Sequence, residues 1–395
     1  MTLTLKPGRL SGEIAAMPSK YELHRLMIAA HLAGMGLESL PVISDDIEAT
    51  RECLAASHPP PFGLPPLAEG GLTDPCLRLN CRESGSTLRF LLPVFAALGK
   101  SVTFTGTGRL PARPMQPLVD LLRAHGCSID SERLPIAISG QLRPGIFALP
   151  GDITSQYVTG LLFALPLLIG ESEIILTSPL ESAGYVQMTL RTLRKFGIVI
   201  HETEQGFAVP GGQKYQLSTV NCQLSIEADW SSAAFWLAAN ALGSDIRITG
   251  LDGASEQSDR AITSLLEHRG VMDASQYTDL APIMAVVMAL TPGEGRIANA
   301  ARLRLKESDR LHAIAENLNA LGGDVTELPD GLVIQGKPTL QGGGADSFGD
   351  HRIAMAMAVA ALRCENPITL HGAQAVQKSY PAFWEDYQRL GGKIA

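Results

Sequence analysis

Residues 304–310 read Arg304-Leu305-Lys306-Glu307-Ser308-Asp309-Arg310, followed by Leu311-His312-Ala313-Ile314-Ala315-Glu316-Asn317-Leu318. The apolar spacing of the second stretch is helical. Ser308 or Asp309 is placed to cap that helix, and Gly322-Gly323 to end it. Three cations and two carboxylates therefore crowd a helix start. A solvated charged face is the plain alternative. Acid, base and anion-binding cations together are also what group transfer between phosphorylated substrates requires.

Working outward, the helix that ends in Gly and leads into an alternating apolar stretch recurs. It is legible at Leu122–Ile129, Leu193–Ile200, Leu266–Gly270, Leu318–Val325 and Tyr387–Ile394, with a degenerate sixth copy ending near His58 before Pro59-Pro60-Pro61. Each Gly (126, 197, 270, 322, 391) is a natural left-handed cap. The chain thus reads as about six repeated α/β units, with helices packed beside sheets. No G-x-G-x-x-G follows an early strand, which weighs against a dinucleotide site. The pattern restarts after Gly211-Gly212-Gln213-Lys214, placing a domain boundary near residue 225.

Several predicted helices open with similar chemistry: Ser19-Lys20 with Arg25, Glu83-Ser84-Gly85-Ser86-Thr87 with Arg89, Arg113-Pro114, Thr154-Ser155-Gln156, Asp350-His351-Arg352 and Lys378-Ser379-Tyr380-Pro381. Hydroxyl and Asp caps are ordinary stability features. Cations at helix starts are not, because the helix dipole disfavours them there. Their recurrence at 20, 113, 306 and 310, 352 and 378 predicts a shared pocket for anions, with exposed helix N–H groups adding to the grip. For proton transfer the candidates are Glu307, within the central cluster, and Asp279, just before the apolar stretch Ile283–Leu290. Asp350 and Asp309 are expected to orient neighbouring Arg and backbone groups, and His351 to be structural. There is no nucleophilic triad and no G-x-x-x-x-G-K-[ST] loop, so direct transfer between two substrates is favoured.

The bulk numbers exclude several classes. With 395 residues the chain has room for two or three domains, and 45% hydrophobic with 18% charged residues suits a folded core. A formal net charge of −8 argues against a nucleic-acid surface. The cysteines at 53, 76, 81, 127, 222 and 364 lack metal-ligand spacing and read as free thiols. The opening Met1–Gly8 has no apolar signal core, and Tyr157–Ile169 is shorter than the ~20 residues of a membrane span. A cytoplasmic monomer without metal or cofactor is the expectation.

The ordered set Lys306-Glu307-Ser308-Asp309-Arg310, Asp350-His351-Arg352, Glu83–Arg89, Arg113-Pro114, Thr154–Tyr157 and Glu227–Ser232 resembles the EPSP synthase family of enolpyruvyl transferases. The resemblance implies an inside-out α/β barrel fold of two domains, each of three βαβαββ units. A discontinuous catalytic domain (1–17 plus 226–395) would face phosphoenolpyruvate, and residues 18–225 would bind shikimate 3-phosphate. It implies transfer of the enolpyruvyl group to the 5-hydroxyl of shikimate 3-phosphate, with domain closure. Position by position, Lys20, Gly85, Arg113, Arg310, Arg352 and Lys378 would grip phosphoenolpyruvate, Lys20 and Lys378 being counted among the catalytic groups. Tyr21, Arg25, Thr154, Ser155, Ser182 and Tyr185 would surround the shikimate phosphate, and Gln156 would touch both substrates. Asp279 would accept the hydroxyl proton, Lys306 would position that substrate, and Glu307 would carry the proton to and from carbon.

The sequence departs from the family pattern at Pro18, Tyr21, Glu83, Thr154, Ala183-Gly184, Ser258 and Arg302. Rival readings are a transferase acting on UDP-N-acetylglucosamine and a non-catalytic anion-binding homologue. No cysteine lies in a cationic Gly-rich loop, against the first, and the presence of both Asp279 and Glu307 argues against the second.

Overall fold

The structure, a computed structural model, describes residues 1–57, 77–217, 224–268 and 270–395. Cys76, Cys222 and the sixth repeat end near His58 fall outside the described residues. The chain divides into two compact units, one of Met1–Ser19 with Glu227–Ala395 and one of Lys20–Ile226.

Within Lys20–Ile226, two four-stranded sheets repeat one plan. Arg78–Asn80 pairs in parallel with Val102–Thr105, which pairs antiparallel with Ile136–Gly140, which in turn pairs antiparallel with Cys127–Ile129. The strands Ile146–Leu149, Ser172–Leu176, Gly206–Val209 and His201–Thr203 follow the same order. A helix joins each parallel pair, as a parallel crossover demands: Gly85–Ala97 in the first sheet and Ser155–Ala164 in the second. These two helices lie almost wholly inside the core. Gly160 explains how closely they approach, since a Cβ there would lie 2.2 Å from the Arg89 carbonyl oxygen.

The other unit carries the plan twice more. Its first copy is Val271–Asp273, Gly293–Ala298, Gly331–Gly336 and Val325–Leu328. In the second, Gly343–Asp346 and Ile368–His371 are completed by Lys393–Ile394 and by the N-terminal strand Thr2–Lys6, which takes the fourth strand's place. The crossover helices Ala281–Ala289 and His351–Ala361 are buried on every side and rich in small residues. Four complete copies are thus present among the described residues. A two-stranded parallel sheet, Ser11–Ala15 with Asp245–Thr249, stands beside them.

Of the five predicted glycine caps, Gly126, Gly197, Gly322 and Gly391 have positive φ, whereas Gly270 does not. The strand expected at Ile198–Ile200 begins instead at His201. Among the described residues no helix is long and apolar enough to cross a membrane.

Candidate active site

In the unit formed by both chain ends, the starts of four helices are tied together through side chains. The helices are Trp230–Ala241, Ala281–Ala289, Arg310–Ala320 and His351–Ala361. Asp229, Asp309 and Asp350 cap three of them, accepting from Ser232 N, His312 N and Arg352 N, each cap contributing about 1 kcal/mol. Asp309, not Ser308, is therefore the cap of the central helix.

Arg310, 1% exposed, is the hub. Its Nε donates to Asp350 Oδ2 at 2.7 Å, Nη1 to Asp279 Oδ1 at 2.7 Å and Nη2 to Glu307 Oε2 at 2.9 Å. Arg352 Nη2 stands 3.2 Å from Asp279 Oδ2 and donates to Ser231 Oγ at 2.8 Å, while Lys306 Nζ lies 3.8 Å from Asp279 Oδ1. Asp350 also accepts from Ser308 Oγ at 3.2 Å. Three cations (Lys306, Arg310, Arg352) thus face three carboxylates (Asp279, Glu307, Asp350), and their formal charges cancel. Burial alone would lower the Arg310 pKa, but Asp350, Glu307 and Asp279 raise it well above the ordinary value. For Asp350 burial again opposes the charge, yet Arg310 holds its carboxyl below the usual range. The Lys306 ammonium is lowered to about 8, mainly by burial, with Arg310 and Arg302 pushing the same way and Asp279 against.

Not every residue of the opening motif joins this cluster. Arg304 turns away, donating to Asp309, Glu327 and the carbonyls of Leu328 and Pro329. Arg302 donates to the Ser275 carbonyl at 2.7 Å. Lys378 does not open the last helix. It ends the 3-10 turn Ala373–Lys378, five residues before Phe383–Arg389, and is 6% exposed.

The unit Lys20–Ile226 holds a second gathering of helix starts. Lys20 is the first residue of the helix Lys20–Leu32, and its Nζ donates to Asp46 Oδ2 at 2.9 Å in the first turn of Asp45–Ala55. Ser84 caps Gly85–Ala97, accepting from Thr87 N, and Thr154 caps Ser155–Ala164, accepting from Gln156 N. Arg89 Nη1 donates to Gln156 Oε1 at 2.7 Å, and Gln156 Nε2 donates to Ser86 Oγ at 3.0 Å, so these two starts are cross-linked. A Cβ at Gly85 would lie 2.8 Å from Arg113 Nη1, so the Arg113 side chain would have to shift to admit one. Arg113 itself, expected beside a proline at a first helical position, lies in extended backbone after the 3-10 turn Leu110–Ala112. Pro117, not Pro114, sits in the first turn of Gln116–Ala124.

Arg25 is 2% exposed and already committed. Its Nε donates to Thr189 Oγ1, Nη1 to the Tyr21 carbonyl and Nη2 to the Tyr185 carbonyl, at 2.8, 2.7 and 2.7 Å. Above it the Tyr21 and Tyr185 rings are 4.7 Å apart, with Lys20 Nζ 5.7 Å from the Tyr21 ring centre. Ser155 is 6% and Ser182 3% exposed, the latter in the left-handed region at φ 56° before the helix Ala183–Lys195. Two functional partners escaped the sequence reading. Asp46, bonded to Lys20, is distant in sequence and marked by no local pattern, while Ser231 lies in the Glu227–Ser232 motif but nothing local pairs it with Arg352.

The fold is shared with solved enolpyruvyl transferases. The EPSP synthase of Acinetobacter baumannii matches with a TM-score of 0.76 at 23% identity, covering 100% of this chain and 99% of that one. The enolpyruvyl transferase NikO of Streptomyces tendae matches with a TM-score of 0.74 at 19% identity, covering 100% and 98%. The family profile described as EPSP synthase (3-phosphoshikimate 1-carboxyvinyltransferase) matches residues 5–276 and 266–387. A protein of Clostridium kluyveri named 3-phosphoshikimate 1-carboxyvinyltransferase is 40% identical over 428 residues, spanning 99% of this chain and 98% of its own length. One of that name from Clostridium acetobutylicum is 40% identical over 423 residues, spanning 99% and 97%. The chain belongs to the EPSP synthase family.

Proposed function

We propose that this enzyme transfers the enolpyruvyl group of phosphoenolpyruvate to the 5-hydroxyl of shikimate 3-phosphate, with release of phosphate. The observation that carries the reading is the pairing of Asp279 and Glu307 on separate nitrogens of one buried guanidinium, with Lys306 and Arg352 on Asp279. Two carboxylates held apart among cations can take a proton from one substrate and give one to the other.

In this reading Glu307 enters the reaction as the protonated acid. Asp279 accepts the hydroxyl proton as the oxygen attacks C2 of phosphoenolpyruvate, and Glu307 protonates the methylene carbon. When the tetrahedral adduct collapses, a methyl proton returns to Glu307, the double bond re-forms, and phosphate leaves with the proton held on Asp279. The electron pair of the breaking C–O bond departs with the phosphate, stabilised by Lys20, the Gly85 backbone, Arg113, Arg310, Arg352 and Lys378. Lys306 positions the shikimate, and Gln156 touches both substrates. Tyr21, Thr154, Ser155, Ser182 and Tyr185 surround its phosphate. Arg25, which donates to Thr189 and to the Tyr21 and Tyr185 carbonyls, joins them at that phosphate. Residues 226–395 with 1–17 supply the proton-transfer groups, and residues 18–225 the shikimate site. The four described cysteines, all free and buried, suit a reducing cytoplasm.

The decisive assay measures phosphate release from phosphoenolpyruvate with shikimate 3-phosphate, and separately with UDP-N-acetylglucosamine, as acceptor. Turnover with the first alone is expected. Release only with the second would transfer the protein to the rival acceptor, and none with either would remove catalysis altogether.

The lowered Lys306 pKa gives a pH test. Its ammonium loses a proton above about pH 8, so a charge that helps hold shikimate 3-phosphate fades there. KM for that substrate should climb from about pH 8 upward in the wild type, and stay level to beyond about pH 9 in Lys306→Arg, whose guanidinium keeps its charge. Identical alkaline profiles for both proteins would remove Lys306 from substrate binding.

A further inference from the structure

A line of buried hydroxyls crosses the core of the Lys20–Ile226 unit, outside the groups given roles above. His24 Nδ1 lies 2.8 Å from Thr50 Oγ1, which lies 2.6 Å from Thr87 Oγ1. Thr87 Oγ1 donates to Ser84 Oγ at 2.7 Å, and Ser84 in turn caps Gly85–Ala97 by accepting from Thr87 N. Both threonines also approach the Asp46 carbonyl oxygen, at 3.4 and 3.5 Å. Ser84, Thr50 and Thr87 are fully buried and His24 is 1% exposed.

The arrangement has a consistent set of donors. With Ser84 accepting from Thr87 N and from Thr87 Oγ1, Thr87 accepts from Thr50, and Thr50 accepts from the Nδ1–H of His24. The hydroxyl protons of Thr50 and Thr87 are then each used once, as a buried polar chain requires. The chain ends beside two groups assigned above to phosphoenolpyruvate. At one end His24 lies one turn after Lys20 in the helix Lys20–Leu32. At the other stands the start of the helix at Gly85.

We infer that Thr50 and Thr87 are positioning residues for phosphoenolpyruvate, a hydroxyl pair that sets Lys20 relative to the capped start of the Gly85 helix. This rests on the reading above that Lys20 and Gly85 meet that substrate. Apolar packing alone holds helices in place but leaves sliding of a few tenths of an ångström cheap. Directional hydrogen bonds in a dry core fix the distance, and groups that grip one small anion from two helices need it fixed.

The test replaces each hydroxyl with a methyl. Thr87→Val and Thr50→Val should each raise KM for phosphoenolpyruvate about tenfold, while KM for shikimate 3-phosphate stays within about twofold. Thr87→Ser, which keeps the hydroxyl, should restore the wild-type KM. The double valine variant should lose little beyond either single one, because one contact is removed twice. Thr50→Ala and Thr87→Ala remove the same oxygens with less crowding, should either valine fail to fold. A folded variant with unchanged KM for phosphoenolpyruvate, or equal shifts in both KM values, would overturn the inference. So would unfolding of all four valine and alanine single variants, which would make the hydroxyls purely structural. Wild-type turnover is measured alongside, since its absence overturns the proposed function, whereas normal wild-type kinetics with unaltered variants overturns only this inference.

Discussion

Glu307→Gln is expected to lower kcat at least ~10²-fold while both substrates still bind, the usual scale for a general acid–base group. The amide matches the carboxylate in shape, and its oxygen can still accept from Arg310 Nη2, now 2.9 Å from Glu307 Oε2. What it cannot do is deliver a proton to the methylene carbon or take one back. Loss should therefore fall on kcat and on kcat/KM alike, the signature of an interaction used only in the transition state. Phosphate release under saturating substrates, with calorimetric titration of each ligand, separates the two effects. Near-normal turnover would hand the proton to another group, and Lys20 or Lys378 would be examined next.

Arg310→Met should have the largest effect on stability. Removing the guanidinium leaves Asp350, which is fully buried, together with Asp279 and Glu307, without their common partner. Breaking a buried ion pair from one side costs about 3–5 kcal/mol, so a fall in Tm on the order of 10 °C is expected. The pH dependence gives the sign. In the wild type the Asp350 carboxyl is held below its ordinary value of 3.8. Its contribution is present above that value and lost as pH falls through the lower folded one. In the variant, burial without the Arg310 charge raises the Asp350 carboxyl, so the folded chain binds more protons than the unfolded one and stability falls as pH rises. The gap in Tm between the two proteins should therefore narrow toward acid pH. A constant gap, or a Tm within a few degrees of wild type at neutral pH, would show that Arg310 does not neutralise the cluster.

Much of the architecture was legible because it rests on local rules. Ser84, Thr154, Asp229, Asp309 and Asp350 cap helices through their own side chains, as short polar residues before apolar periodicity do. Four glycines end helices in the left-handed conformation, which only a missing Cβ makes cheap. The expectation that cations sit at helix starts held for Lys20, Arg310 and Arg352. It failed for Arg113, which follows a 3-10 turn, and for Lys378, which ends one, instead of opening helices. A proline after a cation resembles a helix start, but Pro117 was the one used.

The partners of the cations were not legible. Lys20 with Asp46, Arg352 with Ser231, and Arg310 with Asp279 are separated by tens to more than a hundred residues. Nothing in a linear spacing couples them. Local sequence patterns were enough to place most helix ends and the residue types that crowd them, and their order pointed to the family. Caps, glycines and apolar periods act within a few residues, so they can be read in place. Folding is what makes the cations of the central motif diverge, Arg304 toward Glu327 and Arg310 into a neutralised carboxylate cluster. Charge balance in a buried site depends on which chains meet in space, and burial sets its strength.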